Sequence, residues 1–406
     1  MILVIFRIQY NIKHIVLYVL VINLILYLNK NNMIKKIYFV DDIFRKEIAS
    51  ARFCIYKTLT AIFRRSFNLN ITPLSFGIDN NINNLQEKYK HIDWTEVYFS
   101  APADFEIDYV SLLDNQALYL SYEAPLWLYS IWEKYNINYI DLRLSYLRFL
   151  PDIPVMFSTN IQSSFLTLNN YSIDDEDIIY EASICKASYN FRHFKDHYNV
   201  GKYKNSLIFI GQTDSDTSLM KLGATRPQRV SDYTSELTKL YYKYKNVFYK
   251  PHPYAKKEHI NYEHTKLRKI FNRSISICNE NFYNLVSQDF CIDFIGISSG
   301  ALQEAKYFNK NSIELMPYPF HSLVSTEMYR YINIESVMFF SPKFWQELLS
   351  GILPINSPCK FHRKIYPNLM RSHHNESWGY NSFFFENRKS TNEMLKARGT
   401  VSYRFF

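Results

Sequence analysis

The chain has 406 residues, 47% of them apolar and 21% charged, with a formal net charge of +9. That balance excludes a wholly disordered chain and leaves room for two domains of ordinary size. The positive charge suits an anionic partner, a charged glycan or the inner leaflet of a membrane. No basic tail or nucleic-acid fold signature accompanies it, so no nucleic-acid partner is expected.

Cys54, Cys185, Cys278, Cys291 and Cys359 are widely spaced and form no Cys-x-x-Cys pair. Neither a disulfide framework nor a zinc site is expected, and a reducing cytoplasm is the natural compartment. Cys278 and Cys291 sit in apolar surroundings and read as core thiols.

In chain order, Ile15 to Leu28 is an apolar run of 14 residues, short of the ~20 needed to span a bilayer. No small-residue cleavage site follows it. Residues 1–32 therefore read as an anchor or as an extension that the mature protein lacks, the second being favoured. Ile34 to Val40 reads as the first strand. Asp41-Asp42 is expected to cap a helix whose apolar positions are Ile43, Phe44, Ile48, Cys54, Ile55, Leu59 and Phe63. Arg45, Lys46, Arg52, Lys57, Arg64 and Arg65 would form its wet, basic side, the alternative being a basic face on anionic lipid.

Val97 to Ser100, Ala117 to Leu120 and Asn138 to Leu142 read as strands. Leu112 to Asn115 reads as part of a helix, and Trp127 to Tyr135 as a helix. The polar stretch from Lys195 to Asn205 is taken as a domain junction. Beyond it, strands at 206–210, 246–249, 290–295 and 312–315 alternate with helices near 231–244, 261–271 and 301–308. Trp345 to Leu349 begins a closing helix. Such alternation predicts parallel βαβ units, hence an α/β domain at 33–200, a second at 201–340, and a helical or irregular closing segment at 341–406. Gly-rich dinucleotide and P-loop fingerprints are absent.

The ends of three later strands carry the chemistry. Ser206-Leu-Ile-Phe-Ile210 runs into Gly211-Gln212-Thr213-Asp214-Ser215-Asp216-Thr217-Ser218. Asn246-Val-Phe-Tyr249 runs into Lys250-Pro251-His252-Pro253. Phe290 to Ile295 runs into Gly296-Ile297-Ser298-Ser299-Gly300 and then a helix. Ligands of open α/β sheets bind just beyond the carboxyl ends of strands, so an acid, a His and a hydroxyl-rich turn there predict one site. Either acid can serve as nucleophile, or merely cap the next turn. Held between prolines beside Lys250, His252 can bind or protonate a leaving phosphate. Ser298, Ser299 and Gly300 precede a helix N-terminus, a natural phosphate site, although plain N-capping needs no ligand. No metal is expected, since no Asp-x-Asp of the metal-binding kind stands outside the Asp214–Asp216 pair and that pair has a competing role, and no cofactor is expected.

This ordered set resembles the retaining β-Kdo glycosyltransferases of bacterial capsule and O-antigen assembly, over roughly residues 95–325. The resemblance implies a GT-B-like fold of two Rossmann-like domains facing across a cleft. It also implies a donor, CMP-β-Kdo, and a glycan or glycolipid acceptor at the cytoplasmic face of the inner membrane. It aligns Asp216 with the nucleophile and Asp214 with the block's earlier acid, while Gly211, Gln212, Lys250 and His252 fall on the donor side. Glu304, one turn into the last helix, matches acids that meet a nucleotide ribose. Glu123, after a strand of the first domain, best matches the family's acid or base, although the usual acid-rich Gly motif is missing. Arg143 and Arg148 are placed either to fork the Kdo carboxylate or to form structural ion pairs. A CMP-sialic-acid-dependent sialyltransferase and a non-catalytic glycan-assembly scaffold are the alternatives.

Overall fold

The computed structural model describes residues 34, 36–45, 49–74, 79–192, 200–320, 331–355, 358–359 and 368–372. The apolar run at 15–28 lies outside them. Among the described residues no helix is long and apolar enough to cross a membrane.

Eleven strands are described: β1 Ile37–Val40, β2 Thr72–Leu74, β3 Leu118–Tyr122, β4 Asn138–Leu144, β5 Val155–Thr159, β6 Ser206–Ile210, β7 Asn246–Lys250, β8 Ser276–Ile277, β9 Ile292–Gly296, β10 Ser312–Glu314 and β11 Ile332–Ile334. They form a six-stranded sheet, β11-β5-β4-β3-β1-β2, and a five-stranded sheet, β10-β9-β6-β7-β8. The second sheet is parallel throughout. In the first, β2, β1, β3 and β4 run parallel, and β5 and β11 are antiparallel to their neighbours. The expected mixed α/β class with parallel-rich sheets is observed.

Sequence period explains the two-sided burial. In β6, Ile208 and Ile210 enter one apolar cluster while Leu207 and Phe209 enter the cluster on the opposite face. Alternate side chains of a strand point to opposite faces, and a strand covered on both reads as one continuous apolar run. β3 behaves likewise, with Leu118, Leu120 and Tyr122 against Tyr119.

The two sheets share a core. Tyr146, Leu147, Phe149 and Leu150, which follow β4, pack with Ile208 and Phe294 of the second sheet and with Leu302 of the helix Gly300–Tyr307. A Cβ on Gly300 would lie 2.8 Å from Tyr146 Cβ, so only glycine allows this approach. A second contact joins Trp94 and Tyr98 to Met220, and the Thr95 hydroxyl donates to the Thr225 carbonyl at 3.0 Å.

Several expectations need correction. Residues 332–334, expected in the second unit, pair with β5 of the first sheet, and Phe344 and Trp345 pack there against Phe157 and Phe63. Val97 ends a short helix, Trp94–Val97, whose N–H at Thr95 is capped by Asp93. The helix expected from Ile43 begins at Ala49. Residues 41–45 are instead held as a turn, because Asp42 accepts the Phe44 N–H and buried Arg52 donates to the carbonyls of Asp42 and Arg45. Arg45 and Arg52 are 7% and 1% exposed and do not form a wet face. Cys278 is buried as expected, while Cys291 is exposed.

Candidate functional site

β6 is followed by a loop that is tied down by one side chain. Gln212, buried, donates through Nε2 to Asp216 Oδ2 at 3.1 Å, Ser218 Oγ at 2.8 Å and the Ser298 carbonyl at 3.3 Å. Its Oε1 accepts the Ser298 N–H at 3.0 Å. Asp216 also caps the short 3-10 turn Thr217–Leu219, accepting the Ser218 N–H at 2.9 Å. Half-buried, its carboxylate is thus aimed by one hydrogen bond on each oxygen. Capping and presentation are the same geometry here, since the cap is what holds the carboxylate still.

His252 sits half-buried beyond β7. Burial lowers its pKa and Lys250 adds to this, while the Asp216 carboxylate pulls the other way. Asp216 and His252 therefore act on each other from the ends of adjacent strands. Nδ1 of His252 accepts the Tyr254 N–H at 3.2 Å. A ring that accepts at Nδ1 carries its proton on Nε2. His252 is thus set as a neutral hydrogen-bond donor rather than as the strong acid that an unperturbed ring would make. Lys250 directs its ammonium to the Glu280 carbonyl.

Asp214 is exposed, and its charge bears on a different imidazole, His259 in the helix Lys257–Ile270. His259 Nε2 bonds the Gln212 carbonyl at 3.1 Å and lies 3.6 Å from Glu263 Oε2. Burial lowers the His259 pKa against the opposing pull of Asp214. Glu263 accepts the Tyr249 hydroxyl at 2.6 Å, and burial pushes its carboxyl up to about 7. Gly211 leaves room for this pair, since a Cβ there would meet Tyr249 Oη at 2.9 Å and Glu263 Oε2 at 3.0 Å. Its absent side chain serves packing under the loop.

From the first sheet comes Glu123, directly after β3 and at φ 56°. A non-glycine residue in this left-handed region is strained and needs its surroundings to hold it. Buried Asp141 supplies that hold: it accepts Ser121 Oγ at 2.6 Å, the Ala124 N–H at 3.0 Å, and the hydroxyls of Tyr129 and Tyr331 at 2.9 and 2.6 Å. Burial works to raise the Glu123 pKa, but Arg143, Arg45 and Arg52 outweigh it and hold the carboxyl below its usual range. Arg45 NH1 meets Glu123 Oε2 at 3.2 Å, and its NH2 donates to the Ser215 carbonyl at 3.2 Å. Glu123 thus stands across from the Asp216 loop, linked to it by one guanidinium.

Other expected site residues have structural partners. The Ser298 hydroxyl is fully buried and donates to the Ser218 carbonyl at 2.5 Å, so it fixes the loop rather than facing a phosphate. Ser299 caps the helix Gly300–Tyr307. Glu304, 3% exposed, accepts the Arg148 N–H at 2.6 Å and the Tyr283 hydroxyl at 2.9 Å. It joins the two halves of the molecule through packed interior and does not open onto a ribose. Arg143 donates from Nε to Tyr331 Oη at 3.1 Å and lies 3.7 Å over the Phe320 ring, inside the packed wall behind Glu123. Among the described residues no cluster of His, Cys, Asp and Glu is set to hold a metal ion.

Arg45, Asp141 and His259 were missed. Arg45 and Asp141 follow or lie within strands of the first sheet and read in sequence as helix surface and strand filler. His259 carries a usable signal, a His with Glu four residues on, one helical turn apart. Tyr318 was missed too: burial raises its hydroxyl pKa, and the Asp216 charge adds to this.

No family model matches the chain, and no curated protein matches its sequence. Among solved structures it is similar to KpsC of Thermosulfurimonas dismutans, a β-Kdo 2,7-transferase, at 14% identity and a TM-score of 0.33, over 78% of this chain and 90% of that one. A TM-score of that size carries no functional assignment.

Proposed function

We propose that the chain is a CMP-sugar-dependent glycosyltransferase of GT-B arrangement that moves Kdo from CMP-β-Kdo to a bacterial surface glycan with retention. Asp216 attacks the anomeric carbon as the bond to the CMP phosphate breaks, and the electron pair leaves with CMP. The neutral His252 donates its Nε2 proton as a hydrogen bond to the departing phosphate, beside Lys250 and the helix that Ser299 caps. An acceptor hydroxyl then displaces Asp216 from the opposite face while Glu123 takes its proton, so two inversions give net retention. The fully buried Ser298 supports the loop in this scheme. The work is done by side chains, without metal or cofactor, at the cytoplasmic face of the inner membrane.

One observation carries this reading. Arg45 joins Glu123 Oε2 to the Ser215 carbonyl. An ion-paired carboxylate thus faces the loop on which Gln212 and the Ser218 N–H orient Asp216, with His252 beyond the end of the adjacent strand. Sites for glycosyl transfer with retention need that division between nucleophile and acid/base. The test is CMP release from a panel of CMP-sugars with the full chain, in EDTA. Release from CMP-Kdo is expected to persist in chelator. Release from CMP-sialic acid instead would replace the donor, and release from none would remove the enzymatic reading.

A further inference from the structure

We propose that Arg45 is a positioning residue that fastens the carboxyl group of Glu123 to the loop bearing Asp216, so that the two carboxylates move as one unit. This rests on the transferase reading above and deepens it. Arg45 is 7% exposed and lies 5.3 Å over the Trp94 ring. Its two terminal nitrogens diverge, one to Glu123 Oε2 and one to the Ser215 carbonyl, each at 3.2 Å. Its own backbone is pinned, since Arg52 NH1 donates to the Arg45 carbonyl at 2.9 Å. Nε of Arg45 is buried and has no hydrogen-bond partner. The guanidinium is therefore oriented for its two prongs at the expense of its third donor.

Other contacts also join the halves, among them Gly300 on Tyr146, Thr95 on Thr225, Met220 on Trp94 and Tyr98, and Glu304 on the Arg148 N–H. The Arg45 fork runs directly from the Glu123 carboxylate to the loop that bears Asp216. The groups whose charges bear on Glu123 are Arg143, Arg45 and Arg52, with the hydroxyls of Tyr98 and Tyr122. Arg45 bonds Oε2, which leaves Oε1 to take a proton. In the second half-reaction the acceptor oxygen bonds the glycosyl carbon, and the carbon–Asp216 bond breaks with its pair returning to the carboxylate. The acceptor proton passes to Glu123 and then to water.

The experiment has two arms on the full chain, with Arg45→Ala, Arg45→Lys and Glu123→Gln. In hydrogen exchange without ligand, Arg45→Ala should speed the amides of 213–218 by about tenfold while β6 keeps its protection. With CMP-Kdo, Arg45→Ala should slow steady-state CMP release by about tenfold or more, and by more than it slows the first turnover. The acid limb of its pH profile should move to higher pH, and Arg45→Lys should restore that limb in part. Unchanged protection at 213–218 would overturn the proposal, as would equal loss in both phases with an unmoved acid limb. If the wild type releases CMP from no donor, the transferase reading falls and the exchange arm alone decides the role of Arg45.

Discussion

Gln212 and Ser298 exchange two hydrogen bonds across the ends of β6 and β9, the Ser298 N–H to Gln212 Oε1 at 3.0 Å and Gln212 Nε2 to the Ser298 carbonyl at 3.3 Å. The same Nε2 reaches Asp216 and Ser218, so one amide group sets the whole Asp216 loop. Gln212→Ala leaves the buried Ser298 N–H without an acceptor, at a cost of about 2 kcal/mol in urea unfolding. Gln212→Glu keeps that acceptor but sets a second carboxylate beside Asp216. Its destabilisation should therefore grow as pH rises above the carboxylate range, whereas the loss in Gln212→Ala should stay flat.

His252 should titrate below its ordinary value of ~6.5, because burial and Lys250 oppose its charge more than Asp216 favours it. The folded chain then binds this proton less readily than the unfolded chain. The stabilising contribution is present above the unfolded pKa and is lost as pH falls through the folded one. Imidazole NMR should show Asp216→Asn lowering the His252 pKa further and Lys250→Met raising it. A rise in Asp216→Asn would mean that the two groups do not face one another.

Burial pushes the carboxyls of Glu304 and Glu263 up to about 7. Between the unfolded value and that figure the folded chain holds more protons, so stability falls as pH rises. The contribution is complete below the unfolded pKa and lost through the folded one, up to about 3 kcal/mol per group at 1.36 kcal/mol per pKa unit. Glu304→Gln keeps an acceptor for the Arg148 N–H and the Tyr283 hydroxyl. It should flatten part of the decline in unfolding free energy between pH 5 and 8.

Gly300→Ala tests the contact between the halves. The new Cβ would stand 2.8 Å from Tyr146 Cβ, with backbone close behind. Overpacking of this kind costs about 1–3 kcal/mol. Thermal unfolding should show the loss, and Tyr146→Ala in the same chain should relieve part of it.

Long apolar runs made the second sheet legible. The expected strand 206–210 is β6, and those at 246–249 and 312–315 match β7 and β10 within a residue. Strand ends put the Asp216 loop and His252 on one side of the second sheet, because neighbouring strands of a parallel sheet end on the same side. The short antiparallel edge was not legible, since β11 is three residues long and its partner lies far back in the chain. Local pattern also misjudged roles. Arg45 and Arg52 read as wet surface because nothing within a helical window reveals that their partners are Glu123, Ser215 and backbone carbonyls. Ser298 and Glu304 read as ligand contacts because a cap-like sequence does not show that the groups are already bonded inside.

The most direct test of the central claim is intact-protein mass spectrometry after brief exposure to CMP-Kdo. Glu123→Gln, which retains the nucleophile but lacks the base, should accumulate a Kdo-sized adduct that peptide mapping places on Asp216. The double variant with Asp216→Ala should carry none. An adduct on another residue, or CMP release with retention by Asp216→Ala, would contradict the account.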